Sequence, residues 1–328
     1  MRSLNCAVLV SSSVEPPTGS HAGSAGGDTP SLDLRSARDL VDSLRGLGHS
    51  ARVIQVDDAL EGTLAALAID LCVLALHGNA GGTGHVQARL DRLGVPYTGP
   101  GARLVAGAYD KLLARETLAR HNVPVPTCVE LAGDGPDLQT AALLGWPCVL
   151  KPRLGSASDG LVHLASRAAV DASLAASGEF FQRPHLLERR LSGVEVQTVI
   201  VDGEVLGSMQ VERGESERGR PCAVLSCPPE LPRSVMPGVE NRARLAASAL
   251  GLGKAPTRVD TIVNLRHNER VLEVEPLPPL HRDGVVALVA RAAGIRHAEL
   301  VARTLAPALR LALRRGPVLS APVAQLSL

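Results

Sequence analysis

Between Leu4 and Leu76, short strand-like runs alternate with runs of helical spacing, and this alternation limits the fold more than any other feature of the chain. Leu4–Val10 is a compact apolar run. Ser36–Leu47 carries Ala37, Leu40, Val41 and Leu44 on one helical stripe and ends at Gly46 or Gly48. Ala51–Val56 reads as a second strand, Leu60–Ala68 as a short helix, and Asp70–Leu76 as a third, fully buried strand. Strands separated by helices in this way build a parallel sheet with crossover helices. The segment Ser11–Leu34, rich in Ser, Gly, Pro and Thr, is too long for an ordinary connection and reads either as disordered or as a lid.

Ligands of open parallel sheets bind beyond the carboxyl ends of the strands, which is where His77 and Gly78 fall. A histidine there is either a catalyst or a hydrogen-bonded structural residue, and on position alone the structural reading is the commoner. The glycines at 78, 81, 82 and 84 would let backbone approach a substrate and open a helix through Val86, Leu90 and Leu93. Gly94–Gly101 is turn-rich and closes a first domain.

Composition excludes several classes of function. At 328 residues the chain has length for two or three domains. A net charge of +1, with two Tyr, two Phe and one Trp, gives neither the charge nor the stacking surface of a nucleic-acid binder. No apolar run is long enough to span a membrane, and MRSLNCAVLV reads as a strand rather than a signal peptide. The six cysteines show no CxxC spacing and lie mostly in apolar runs, as reduced thiols of a cytoplasmic protein do.

Farther on, Leu104–His121 is helical and carries Asp110 and Lys111. Cys148–Lys151 is a strand leading into KPRLGSASDG, where Gly155, Ser156, Ala157, Ser158 and Gly160 form a loop of small residues. Such a loop can offer backbone N–H groups to a phosphate while Lys151 supplies a point charge, although the GxxxxGK[ST] order of a P-loop is absent. The alternative is a surface turn with a solvated lysine. Leu186–Val199 begins as a strand with Glu188 and continues to Glu195; Val205–Val211 and Ala223–Cys227 bracket a charged, solvated loop, Glu212–Arg220. Val239–Leu250 is an amphipathic helix, Ala287–Arg314 supplies terminal helices, and Gly316–Leu328 is a tail.

Arg258–Pro279 is the stretch with most chemical content. Arg258–Leu265 and Arg270–Glu275 alternate on either side of a polar turn, as the two strands of a hairpin do. Residues two apart share a face, and facing side chains of paired strands lie about 5 Å apart, so Asp260, Glu273 and Glu275 can converge. Carboxylates this close repel unless a cation sits among them, and oxygen ligands suit Mg2+. The alternative is an open hairpin face with solvated acids.

In their order and spacing the motifs resemble the D-alanine:D-alanine ligases of the ATP-grasp superfamily. The matching pieces are ALHG (Ala75–Gly78) with GVPYTG (Gly94–Gly99), Asp110-Lys111, Lys151-Pro152 with Gly160, LLE at Leu186–Glu188 with SGVE at Ser192–Glu195, CPPELP (Cys227–Pro232), RVD (Arg258–Asp260) and LEV (Leu272–Val274). The resemblance implies an α/β fold, α+β in its later part: an N-terminal parallel-sheet domain (1–101), then the small lobe (102–183) and large lobe (184–316) of an ATP-grasp fold, with 317–328 as a tail. It implies ATP and Mg2+ as cofactors, with Mn2+ as the alternative ion, amino-acid or peptide substrates, and a homodimer. Carried over residue by residue, Lys111 and Lys151 would hold ATP phosphates beside Ser156 and Ser158. Glu188 would lie at the adenine, Arg189–Leu191 would form the hinge beside the base, and Glu195 would meet the ribose hydroxyls. Asp260, Glu273 and Glu275 would hold the metal, with Glu275 standing where the family has Asn. Arg258 would steady the oxyanion, and His77 would share the catalytic site.

Other departures fall in substrate recognition and closure. Pro279 stands where the family has a glycine whose N–H faces the oxyanion, and proline has none. Gly82 and Thr83 replace an acidic pair, and Glu212–Arg220 lacks the aromatic and lysine of the family's flap. The sequence reading therefore ranks a ligase of specialised amino acids or peptides first, a cell-wall D-alanine:D-alanine ligase second, and a catalytically lapsed nucleotide-binding protein third.

Overall fold

The computed structural model describes residues 2–11, 32–131, 144–155, 160–169, 183–215, 221–264 and 269–315. The N-terminal alternation folds as the sequence predicts. Strands β1 (Asn5–Ser11), β2 (Ser50–Val56) and β3 (Leu71–Leu74) form an all-parallel sheet in the order β2-β1-β3. Helix α1 (Leu32–Gly46) covers one face through Ala37, Leu40, Val41 and Leu44. The last described helix, α9 (His297–Arg315), returns to the same face with Val301, Leu305, Ala308 and Ala312, and so packs on the N-terminal sheet. Helices α2 (Leu60–Ala66) and α4 (His85–Leu93) cover the other face through Leu60, Leu64, Val86 and Leu90. A one-turn helix, α3 (Gly78–Gly82), precedes α4.

Two antiparallel sheets follow, which makes the fold mixed α/β, as expected. The smaller contains β4 (Cys128–Leu131), β5 (Cys148–Pro152), β6 (Val162–Leu164) and β7 (His185–Arg189) in the order β4-β7-β5-β6. The larger contains β8 (Val194–Val201), β9 (Glu204–Glu215), β10 (Pro221–Ser226), β11 (Thr257–Val263) and β12 (Glu269–Glu275) in the order β10-β9-β8-β11-β12. Helix α7 (Met236–Ala249) packs Ala243, Ala246 and Ala247 on one face of the larger sheet, against Ile200, Val259 and Val274. Helix α8 (Val285–Ala292) covers only part of the other face, through Val286 and Val289 against Val199, Val201 and Met209. The rest of that face is left for the site.

Three sequence expectations are corrected. Leu104–His121 is two helices, α5 (Ala102–Tyr109) and α6 (Lys111–Arg120). Asp110 leaves the helical region with ψ 100° and its carboxylate accepts the N–H groups of Leu112 and Leu113 at 3.1 and 3.2 Å, so a local N-cap overrides the apolar periodicity. Leu186–Val199 is two strands in different sheets, β7 and β8. Between them Gly193 has φ +155°, and a Cβ there would stand 2.4 Å from the carbonyl oxygen of Val263, so only glycine lets the chain cross between the sheets. Glu212–Glu215 belongs to β9 rather than to a loop; 216–220 lies outside the described residues. So do 12–31 of the proposed lid, Ser156 and Ser158 of the phosphate loop, and the 316–328 tail.

Candidate active site

Strands β5 and β7 pair so that Val149 faces Glu188 and Lys151 faces Leu186, which puts Lys151 and Glu188 diagonally adjacent on one face. Lys151 Nζ lies 2.7 Å from Glu188 Oε1, and Arg115 Nη2 reaches the same oxygen at 2.6 Å from α6. The three side chains are only 5–12% exposed, so the surface-turn alternative with a solvated lysine does not hold. Two buried cations share one carboxylate, which leaves an unbalanced positive charge in the pocket. Burial pushes the Lys151 ammonium below its ordinary range, with Glu188 acting against the shift.

Lys111 arrives from α6, whose start is fixed by the Asp110 cap. Its Nζ donates to the carbonyl of Gly155, and burial again lowers its ammonium, opposed by Glu273 of the larger sheet. Arg153 holds this corner together: its Nε and Nη2 donate to Asp110 at 2.9 and 2.6 Å, and its Nη1 donates to Glu130 at 2.9 Å. Its carbonyl accepts the N–H of Lys111 at 3.1 Å. The start of the glycine-bearing loop is thereby tied to the helix that carries the first lysine.

The opposite wall is the acid-bearing face of the larger sheet. In register, Arg258 faces Glu275 and Asp260 faces Glu273, so all four side chains project from one face of β11 and β12. Arg258 grips Asp260 through two bonds of 2.7 and 3.0 Å. Burial raises the carboxyls of Asp260 and Glu275, with Arg258 acting against it and Glu273 adding repulsion. These are not the solvated acids of an open hairpin. Glu273 also acts electrostatically on both Lys111 and Lys151, so one of these acids lies within charge range of the two lysines.

The oxygen-rich wall fits a hard divalent cation. Among the described residues no three His, Cys, Asp or Glu side chains stand together as a metal-binding group, and Arg258 occupies Asp260. Mg2+ typically takes one or two carboxylates and completes its shell with water and phosphate oxygens, so Asp260 and Glu273, paired across the strands, suffice for the protein's share. Glu275 sits differently from the three-acid expectation: it accepts the N–H of Leu277 at 3.1 Å and lies beside Arg258.

The remaining predicted residues are placed as follows. Arg189 closes β7, exposed, with its N–H on the carbonyl of Thr127 at 3.1 Å, and Leu191 lies half-buried in the connection to β8. Glu195 at the start of β8 is held by Arg213 of β9 through two bonds of 2.9 and 2.7 Å. His77 follows β3, with Nδ1 2.7 Å from Asp33. Arg258, Pro278, Pro279, His281, Asp283 and Gly284 ring a cavity of about 210 Å³ at the start of α8. Asp33, Arg115, Arg153 and Arg213 were missed from sequence. Arg115 alone carried a signal, one helical turn beyond Lys111 on the same face.

Solved structures share this architecture. A D-alanine–D-alanine ligase from Bacillus anthracis, complexed with ATP, superposes with a TM-score of 0.79 over 96% of this chain and 100% of its own, at 22% identity. The VanG D-Ala:D-Ser ligase of Enterococcus faecalis gives 0.77 over 94% and 100%, at 16% identity. The fold is the one these two structures share. No protein-family model matches the chain. The D-alanine–D-alanine ligase of Desulforudis audaxviator is 30% identical over 282 residues, 82% of this chain and 91% of the relative. The chain belongs to the D-alanine–D-alanine ligase family, whose members are ATP-dependent, ADP-forming ligases of a carboxylate and an amine. No helix among the described residues is long and apolar enough to cross a membrane.

Proposed function

We propose that the protein joins two D-alanine molecules, using ATP and Mg2+, as a cell-wall ligase does. One observation carries this reading: Lys151 and Arg115 share the single buried carboxylate of Glu188, leaving positive charge in excess, and Lys151 and Lys111 both feel the charge of Glu273, the register partner of Asp260. That charge pattern complements a triphosphate and its magnesium, and phosphoryl transfer to a carboxylate depends mainly on positioning and charge neutralisation. Lys111 and Lys151 would hold the phosphates, and Asp260 and Glu273 would hold the metal, which supplies charge neutralisation at the transferred phosphoryl group. Arg258, at the edge of the 210 Å³ cavity, would stabilise the oxyanion formed when the amine attacks the acyl phosphate. The relatives' names support D-alanine over the specialised substrates ranked first from sequence.

A second reading keeps the ATP chemistry and changes the amine. It is favoured by Pro279, which lines the cavity beside Arg258 and offers no N–H to an oxyanion or a substrate carboxylate. One experiment separates the two. Incubated with ATP, Mg2+ and a panel of D- and L-amino acids, the protein is expected to form ADP and the D-alanyl-D-alanine dipeptide, read by mass spectrometry. Mixed amides in preference to that dipeptide would establish the second reading, and silence across the panel would contradict both.

A further inference from the structure

Asp33 lies in the first turn of α1, inside the end of Ser11–Leu34, the stretch read from sequence as disordered or a lid. Its side chain is 9% exposed and joins the ends of two parallel strands. One carboxylate oxygen accepts the backbone N–H of Ser11, at the end of β1, at 2.9 Å. The other accepts the backbone N–H of His77 at 3.2 Å and meets His77 Nδ1 at 2.7 Å. A helix N-terminus and three donors stabilise a carboxylate. Burial works against ionisation here, yet the His77 and Ser11 bonds prevail and hold the Asp33 carboxyl below its usual range.

An ionised carboxylate only accepts hydrogen bonds, so the proton between the two side chains belongs to His77 Nδ1. In the neutral imidazole Nε2 then carries the free lone pair. His77 follows the carboxyl end of β3, which is where open parallel sheets bind their ligands.

We propose that Asp33 is a positioning residue for the ligation step: it locks the tautomer and plane of His77 so that a bare Nε2 faces the incoming amine. This rests on the function proposed above. The substrate ammonium gives one proton to Nε2, and its freed lone pair attacks the acyl phosphate carbon. The C–N bond forms, the C–O bond to phosphate breaks, and the second amine proton leaves with the departing phosphate. Asp33 touches no substrate and acts through the ring alone.

The test uses the full chain with Asp33→Asn, Asp33→Ser, His77→Ala and the Asp33→Asn/His77→Ala double variant. General-base assistance is typically worth on the order of 10²-fold or more, so His77→Ala is expected to lower kcat by about that factor and Asp33→Asn by roughly tenfold. KM for ATP and the ATP-induced shift in Tm should stay unchanged, and Asp33→Asn should add nothing once His77 is gone. Multiplicative losses in the double variant, or full kcat in both Asp33 variants beside an impaired His77→Ala, would overturn the positioning role. A second readout is independent of turnover: nitrogen-15 NMR of the His77 ring should show Nδ1 protonated and Nε2 bare in the wild type, with that preference lost in Asp33→Asn. An Nε2-protonated ring in the wild type would overturn the inference even if D-alanine ligation were established. The expected ring signature without D-alanine ligation would leave the positioning intact and remove the function.

Discussion

Lys151→Met should abolish the rise in Tm that ATP with Mg2+ gives the wild type and lower kcat/KM on the order of 10³-fold, while leaving the ligand-free protein nearly as stable as before. The two outcomes diverge because of how charge is shared around Glu188. Arg115 remains 2.6 Å from Glu188 Oε1 after the change, so the buried carboxylate keeps a partner. Methionine also restores apolar volume where an ammonium was held at a desolvation cost. What is lost is the excess positive charge, and a phosphate is what needs it. Calorimetric or fluorimetric melting with and without nucleotide measures both effects; a variant still stabilised by ATP would remove Lys151 from the nucleotide site.

Asp260→Ala should fail in both respects. Arg258 is 19% exposed at its side chain and loses the carboxylate that binds it through two bonds. Breaking a buried pair typically costs about 3–5 kcal/mol, because the remaining charge is left uncompensated; Glu275, opposite Arg258 in register, reduces that cost here. Activity should fall by at least about 10³-fold, because in the proposed function the same carboxylate would supply part of the metal's protein ligation. Denaturant unfolding and steady-state rates over a Mg2+ titration read the two losses separately. An Asp260→Ala protein with wild-type stability and an unchanged Mg2+ requirement would show that the acid-bearing face is not the metal wall.

What the sequence made legible follows from the range of the interaction that fixes each element. The parallel sheet was readable because Ala37, Leu40, Val41 and Leu44 report burial through local periodicity. The hairpin was readable because Asp260 and Glu273 are register partners on alternating strands. The break at Asp110 was not, because a cap is a single local bond pattern that periodicity averages away. The crossing at Gly193 was not, because what forbids a side chain there is the Val263 carbonyl, 70 residues distant in sequence. Long-range ion pairs were the least visible. Arg153 with Glu130, Arg213 with Glu195, and Asp33 with His77 each join residues whose separation carries no pattern. Lys151 was legible as a candidate phosphate ligand at the end of a strand, whereas its place beside Arg115 on a shared carboxylate was not.

Oxygen transfer tests the central claim most directly. With D-alanine labelled by oxygen-18 in its carboxylate, ATP and Mg2+, an acyl phosphate route moves one labelled oxygen into the inorganic phosphate for each dipeptide made, and mass spectrometry of the phosphate should show that stoichiometry. Phosphate released without label, or at a rate indifferent to the amino acid, would contradict it.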